Sequence, residues 1–248
     1  MRVLRPILIL ALLLAGWRPA LARPALQNDT PEKRAAALAA ALTPEEKVGQ
    51  LALVTFSGPE ALPDSQIADL IIRYHVGGVA LRRDNLRETD AAAALLALTN
   101  QLQQIEYDDA INPRNDEAGQ VRYPAYIPLL IALEQNGDGL PADTLTAGIT
   151  AAPPAMALGA TWDSALAERV GQAAGRELAA LGINLLLGPN LDVLETPSPE
   201  GPADFGAQVF GGDPFWVGQL AQAYIDGLHT GSQGGRSQGG LAVFARHF

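Results

Sequence analysis

The sequence predicts an α/β protein built from repeated β-α units on a parallel sheet. Two observations carry that prediction. Short apolar runs alternate five times with longer segments whose apolar residues recur at helical spacing. The runs are continuous rather than alternating, as in strands covered on both faces. With hydrophobic residues at 48% of 248, there is material for one large core. Periodicity leaves two architectures open. A doubly wound sheet can stop at five strands, whereas a closed (β/α)8 barrel needs eight to remove its edges.

The elements follow in order. "MRVLRPILILALLLAGWRPALA" has Arg2 and Arg5 before an apolar run from Ile7 to Ala15, then Ala20-Leu21-Ala22. This reads as a secretory signal peptide over 1–22, which implies a secreted or periplasmic protein. The run is short for a bilayer span, so no stable membrane anchor is expected. Removing its three arginines leaves 14 cationic against 27 acidic residues, a net charge of −13. Residues 23–41 are Ala-rich and polar and read as a linker running into a short helix. In "LTPEEKVGQL", Thr43 is the expected N-cap, Pro44 suits the first helical position and Glu46 completes a capping box. Leu51 to Phe56 is the first strand.

"SQIADLIIRYHV" places Ile67, Leu70, Ile71 and Tyr74 on one helical stripe, and "GGVAL" is the second strand. "ETDAAAALLALTNQLQQIE" is a helix with Leu95, Leu98, Leu102 and Ile105 in line. Tyr107–Tyr126 is polar and turn-rich and reads as a surface insertion. "IPLLIALE" is the third strand. In "DSALAERVGQAAGRELAALG", Asp163 or Ser164 caps a helix that Gly182 ends. "INLLLGPN" is the fourth strand. "DPFWVGQLAQAYIDGLHTG" is a helix with Pro214 in its first turn, 231–240 is a flexible loop, and "GGLAVFARHF" is the fifth strand.

Composition excludes several functions. A formal net charge of −10 argues against nucleic-acid binding, which needs a basic face. The absence of Cys removes disulfides, thiol catalysis and Cys-ligated metals. The three histidines, His75, His229 and His247, lack metal-ligand spacing, and no phosphate-cradling glycine loop occurs. No metal and no cofactor is expected. Trp162 and Trp216 could stack on a sugar, but a Trp near a helix start more often packs.

Several segments together resemble the N-terminal domain of glycoside hydrolase family 3, which includes β-N-acetylhexosaminidases and β-glucosidases. They are "LTPEEKVGQL", "YHVGGVAL", "IPLLIALEQNGDG", "PPAMALGATWDSALAERVGQAAGRELAALGINLLLGPNLDV", "VFGGDPFWVGQLAQAYIDGL" and "ARHF". They cover almost everything from Leu42 to Phe248, in the family's order. The resemblance implies a (β/α)8 TIM-barrel type fold, incomplete here, with about five of its eight units present over 42–248. "RHF" corresponds to the start of the family's "KHFPGHG". The family's nucleophile is an Asp on a later strand, and its proton donor also follows that motif. No catalytic residue is therefore assigned within this chain.

The resemblance also implies substrate-binding positions. Arg246 and His247 match a Lys-His pair that holds sugar hydroxyls; Arg keeps the charge but changes the donor geometry. Glu134 falls where the family carries a substrate-binding Asp, so its carboxylate reaches one methylene farther. Asp192, in "PNLDV", matches a strand-end Asp that lines the pocket or serves a structural bond. Gln208 stands where many members have Arg. The expected activity is hydrolysis of terminal β-linked sugars with retention, closest to the β-N-acetylhexosaminidase branch, on a carbohydrate substrate. The alternative is a non-catalytic sugar-binding or structural remnant of the same fold, which the drift at Glu134, Asn136, Asp138 and Gln208 favours. An exported α/β solute-binding protein would explain the export signal and the rhythm but not the motif series. No signal specifies an oligomeric state.

Overall fold

The structure is a computed structural model that describes residues 30–87, 90–115, 119–137, 143–194, 205–234 and 240–246. The expected signal peptide, the first part of the expected linker, residues 235–239 of the expected flexible loop, Asp138 and His247 lie outside the described residues. The rest of the expected linker is largely helix: α1, Pro31–Ala41, is exposed along its length and belongs to a unit of its own. The second unit begins at Leu42.

In that unit α2 (Pro44–Gly49), β1 (Leu53–Val54), α3 (Gln66–Tyr74) and β2 (Gly78–Ala80) are followed by the long α4 (Ala91–Ile111). A two-strand hairpin, β3 (Arg114–Asn115) and β4 (Val121–Arg122), precedes β5 (Leu130–Glu134). Then come α5 (Ala155–Thr161), α6 (Ser164–Ala180), β6 (Leu185–Asn190), α7 (Pro214–Ser232) and β7 (Ala242–Arg246). The main sheet is wholly parallel, in the order β1-β2-β5-β6-β7. Each strand joins beside its predecessor, and the winding never reverses. A doubly wound sheet reverses at a switch point, so this is the winding of a (β/α) barrel. Among the described residues the sheet is open, with β1 and β7 at its edges.

Local chemistry explains the boundaries. Thr43 Oγ1 accepts from the Glu46 N–H (3.1 Å) and Glu46 Oε2 accepts from the Thr43 N–H (2.7 Å), a complete capping box. Asp163 Oδ1 accepts from the Leu166 N–H and Asp213 Oδ1 from the Trp216 N–H, each at 3.1 Å, so Asp163 rather than Ser164 caps α6. Gly182, at φ +83°, takes the left-handed turn beyond α6. One side of the sheet packs on the helices. Ile131, Leu133 and Leu186 from the strands meet Ile67, Ile71, Leu95, Leu98, Leu102 and Leu178, all fully buried.

Three expectations need correction. The first strand spans Leu53–Val54 rather than Leu51–Phe56, because Leu51 and Ala52 still turn off α2 through bonds to Val48 and Gly49, and β2 offers partners only to Leu53 and Val54. Tyr74, expected on the apolar stripe, is exposed at the last residue of α3, where His75 turns left-handed. The expected insertion at Tyr107–Tyr126 is neither wholly irregular nor merely superficial. Its first residues complete α4, and its hairpin is strapped to buried acids. Arg122 Nη2 donates to Glu46 Oε2 (2.6 Å), and Arg114 bonds Asp109 and the Ile72 carbonyl.

Among the described residues the sheet's other side is only partly covered. Leu53, Gly78 and Leu130 form one row, and Glu134, Leu187 and Phe244 another. Leu53, Leu130 and Phe244 are all exposed, Phe244 at 63%. An apolar face flanked by open strand edges favours association. We expect Phe244→Ser to raise the soluble yield of this chain several-fold and to narrow its sedimentation profile. No change in either would show that this face is not what limits solubility.

Candidate functional site

In a parallel α/β barrel the carboxyl ends of the strands carry the chemistry. In a strand, side chains alternate between faces. Ile131 and Leu133 point into the core, so Leu130 and Glu134 share the open face, with Ala132 buried between them. Arg246 lies two residues beyond Phe244 on β7 and shares that face. β6 separates the two strands, which puts their backbones about 10 Å apart. The side chains close the gap: Arg246 Nη1 donates to Glu134 Oε1 at 2.7 Å, with each side chain about a third exposed. Both positions carry the longer member of their charge class. That length lets the pair bridge across Leu187. Such a pair is a charge-assisted contact of modest worth in partial solvent. It presents donors and acceptors side by side, as vicinal hydroxyls require.

Around the pair the strand ends carry neutral amides. Asn190, at the end of β6, is buried, and its Nδ2 donates to Gln208 Oε1 at 2.8 Å. Gln208 is thus buried and committed to a neighbour. Asn136 is buried just past β5, its backbone N–H donating to Asp143. Among the described residues neither side-chain atom of Asn136 nor Asn190 Oδ1 has a hydrogen-bond partner. Asp192 stands two residues past β6, half-buried. Its backbone is pinned on both sides: the Leu191 N–H donates to the Arg246 carbonyl (2.8 Å), and Val193 bridges to Gly211.

The structure therefore brings Glu134 and Arg246 into contact and sets Asp192 at the same end of the sheet; His247 lies outside the described residues. Sequence reasoning did not single out Asn190, whose partner is 18 residues away. Trp162 and Trp216 pack edge-to-face on each other, ring centroids 5.1 Å apart. An apolar cavity of about 180 Å³ lies on the other side of the sheet, between Leu186, Ile149 and α6. It is lined by Gln135 rather than Glu134, so it is not this site. Among the described residues no group of three His, Asp or Glu could hold a metal ion, and no helix is long and apolar enough to cross a membrane.

Comparison with known proteins adds the chemistry. The family profile described as "Glycosyl hydrolase family 3 N terminal domain" matches residues 43–248. The chain is 32% identical over 136 residues to beta-hexosaminidase A of Pseudoalteromonas piscicida, which covers 54% of this chain and 20% of that protein. It is 37% identical over 103 residues to a probable beta-glucosidase I of Aspergillus niger, covering 41% of this chain and 11% of that protein. Among solved structures, a glycoside hydrolase family 3 β-N-acetylglucosaminidase from Paenibacillus sp. superposes with a TM-score of 0.64 at 34% identity, over 84% of this chain and 33% of that one. The chain spans well under two thirds of the length of each of these relatives.

Proposed function

From the premise that the chain belongs to glycoside hydrolase family 3, through its N-terminal domain, we propose that it forms the substrate-gripping part of an exported β-N-acetylhexosaminidase-like glycosidase. The enzyme releases terminal β-linked sugars. The observation that carries the reading is the Glu134–Arg246 pair at the carboxyl ends of singly wound parallel strands. Glu134 accepts from sugar hydroxyls and Arg246 donates to them, with Asp192 at the rim of the same site; His247 is the further binding residue that the family resemblance implies. The nucleophilic Asp belongs to a later strand of the family barrel and the proton donor also follows the family's "KHFPGHG" motif, so these residues bind and orient, and this chain by itself does not turn over. Retaining hydrolysis needs a carboxylate nucleophile and a proton donor on opposite sides of the scissile bond. Glu134 is already paired with a cation and supplies neither of them.

The test uses the 248-residue chain with N-acetylglucosamine, followed by ligand-observed NMR, and an aryl N-acetyl-β-glucosaminide as the substrate. We expect weak binding, no aryl release, and about a tenfold loss of affinity in Glu134→Gln, since hydrogen bonds to a charged group are worth roughly 1.5–3 kcal/mol. Aryl release by this chain would overturn the placement of the catalytic groups. Absence of binding would favour the structural-remnant reading, in which Glu134 and Arg246 satisfy only each other. Export is tested separately. Expressed in a Gram-negative host, the chain is expected in the periplasm with its first 22 residues removed; retention in the cytoplasm at full length would refute it.

A further inference from the structure

We propose a second carbohydrate subsite at the tips of β1 and β2, one sugar unit along from the Glu134–Arg246 pair, which takes an uncharged, polyhydroxylated ring. The inference rests on the glycosidase reading above. A cavity of about 240 Å³ opens there, lined by Thr55, Phe56, Ser57, Glu60, Gln66 and Arg82. Its walls follow the carboxyl ends of β1 and β2, and Glu134 is the last residue of β5. All three strands are parallel and adjacent in the order β1-β2-β5. At the usual strand spacing the cavity stands roughly 5–10 Å from Glu134 along the sheet. That is comparable to the step between neighbouring rings of a β-linked glycan.

The cavity is built rather than incidental. Asn85 is buried, and its amide nitrogen donates to the carbonyls of Phe56 (3.0 Å) and Gly58 (2.8 Å). Its Oδ1 accepts from the Arg82 N–H at 2.8 Å. One amide therefore fixes the β1 wall against the β2 wall, and a pre-formed site loses less freedom on binding. Arg82 is itself held, its Nη2 donating to Ser57 Oγ (3.3 Å) and Asp84 Oδ2 (3.0 Å).

Charge decides the ligand class. Arg82 is paired with Asp84, and Glu60 is paired with Arg87. Neither sign is in excess, so the wall attracts no free anion or cation. Hydroxyl, amide, carboxylate and guanidinium groups instead offer donors and acceptors in mixture. A sugar ring presents the same mixture.

The test compares N-acetylglucosamine with its β-1,4-linked disaccharide, titrated into the 248-residue chain by NMR. The disaccharide is expected to bind about tenfold more tightly. Arg82→Ala and, independently, Gln66→Ala should each reduce disaccharide affinity to that of the monosaccharide and leave monosaccharide affinity unchanged. Equal affinities for the two sugars in the unmodified chain would overturn the subsite and leave the glycosidase reading standing. An Arg82→Ala variant that weakens both sugars equally would overturn it as well. If neither sugar binds, the glycosidase reading falls and this subsite falls with it.

Discussion

Gly175→Ala is expected to lower the melting temperature by about 10 °C, whereas Gly218→Ala, on the neighbouring helix, should raise it slightly. The usual rule is that alanine stabilises a helix by up to about 1 kcal/mol over glycine. Gly218 obeys the rule: nothing lies within 4 Å of a methyl placed there. Gly175 does not. Its added Cβ would stand 2.2 Å from the Leu228 carbonyl oxygen of α7. One turn earlier a methyl on Gly171 would stand 2.1 Å from the Tyr224 oxygen. The relation is reciprocal, since Gly227 and Gly231 of α7 would meet the carbonyls of Glu168 and Gln172 at 2.1 and 2.0 Å. Two pairs of glycines, each at i and i+4, thus let the helix backbones touch. A methyl there collides with backbone, which has no rotamer to escape into, and the helices must part. The cost is about 3 kcal/mol or more. In a chain of this size that corresponds to roughly 10 °C. Thermal denaturation followed by circular dichroism checks both variants. A Gly175→Ala protein melting at or above the parent would show that the two helices do not approach this closely. The consequence reaches the site. α6 leads into β6 and α7 into β7, so spreading the helices moves Arg246 relative to Glu134. Sugar affinity should therefore fall in Gly175→Ala even below its melting temperature.

Those glycines show where sequence reading stops. The "AERVGQAAGREL" stretch was legible as a helix, because Asp163 caps it and Gly182 ends it. Both are local signals, resolved within a few residues. The capping box at Thr43 and Glu46 and the stripe from Leu95 to Ile105 were legible for the same reason. Gly171 and Gly175 read only as weak points in that helix, since their partners lie more than fifty residues away. The winding was likewise hidden. Five apolar runs suit a doubly wound sheet and a barrel equally; the family resemblance chose the barrel, and the observed order β1-β2-β5-β6-β7 agrees with it. The hairpin at Arg114–Arg122 reads as surface because it is polar. Its polarity serves buried acids on α2 and α4, which no local pattern reveals. At the candidate site, the family resemblance singled out Glu134 and Arg246 separately, each as a departure from the usual residue. Their compensation became visible only once β6 was seen to lie between them: two lengthened side chains meet where two shorter ones would leave a gap.

The second large effect is a loss of stability as pH rises through neutrality. Glu106 lies on α4 beneath the start of β5, buried, with the Ile127 N–H donating to its carboxylate. Burial, with the Asp109 and Glu46 carboxylates nearby, outweighs that bond and the Arg114 charge and pushes the Glu106 carboxyl up to about 7. Burial also raises Asp109, against the opposing pull of Arg114 and His75, whereas Glu46 is held below its usual range by Arg122 and its cap bond despite burial. The sign follows. An unfolded Glu106 releases its proton near pH 4.5, while the folded one keeps it to about 7. Between those values the folded state binds more protons, so stability falls with rising pH and levels off above about 7. The loss is about 3 kcal/mol. Glu46 acts oppositely, contributing stability above pH 4.5 that is lost in acid. The parent should therefore be most stable near pH 5. Glu106→Gln removes the titration while keeping an oxygen for the Ile127 N–H, and its new amide hydrogens face Asp109. Between pH 5 and 8 its melting temperature should decline much less than the parent's, the remainder coming from Asp109. At pH 8 it should melt several degrees higher. If both proteins decline equally, Glu106 is already ionised in the folded state.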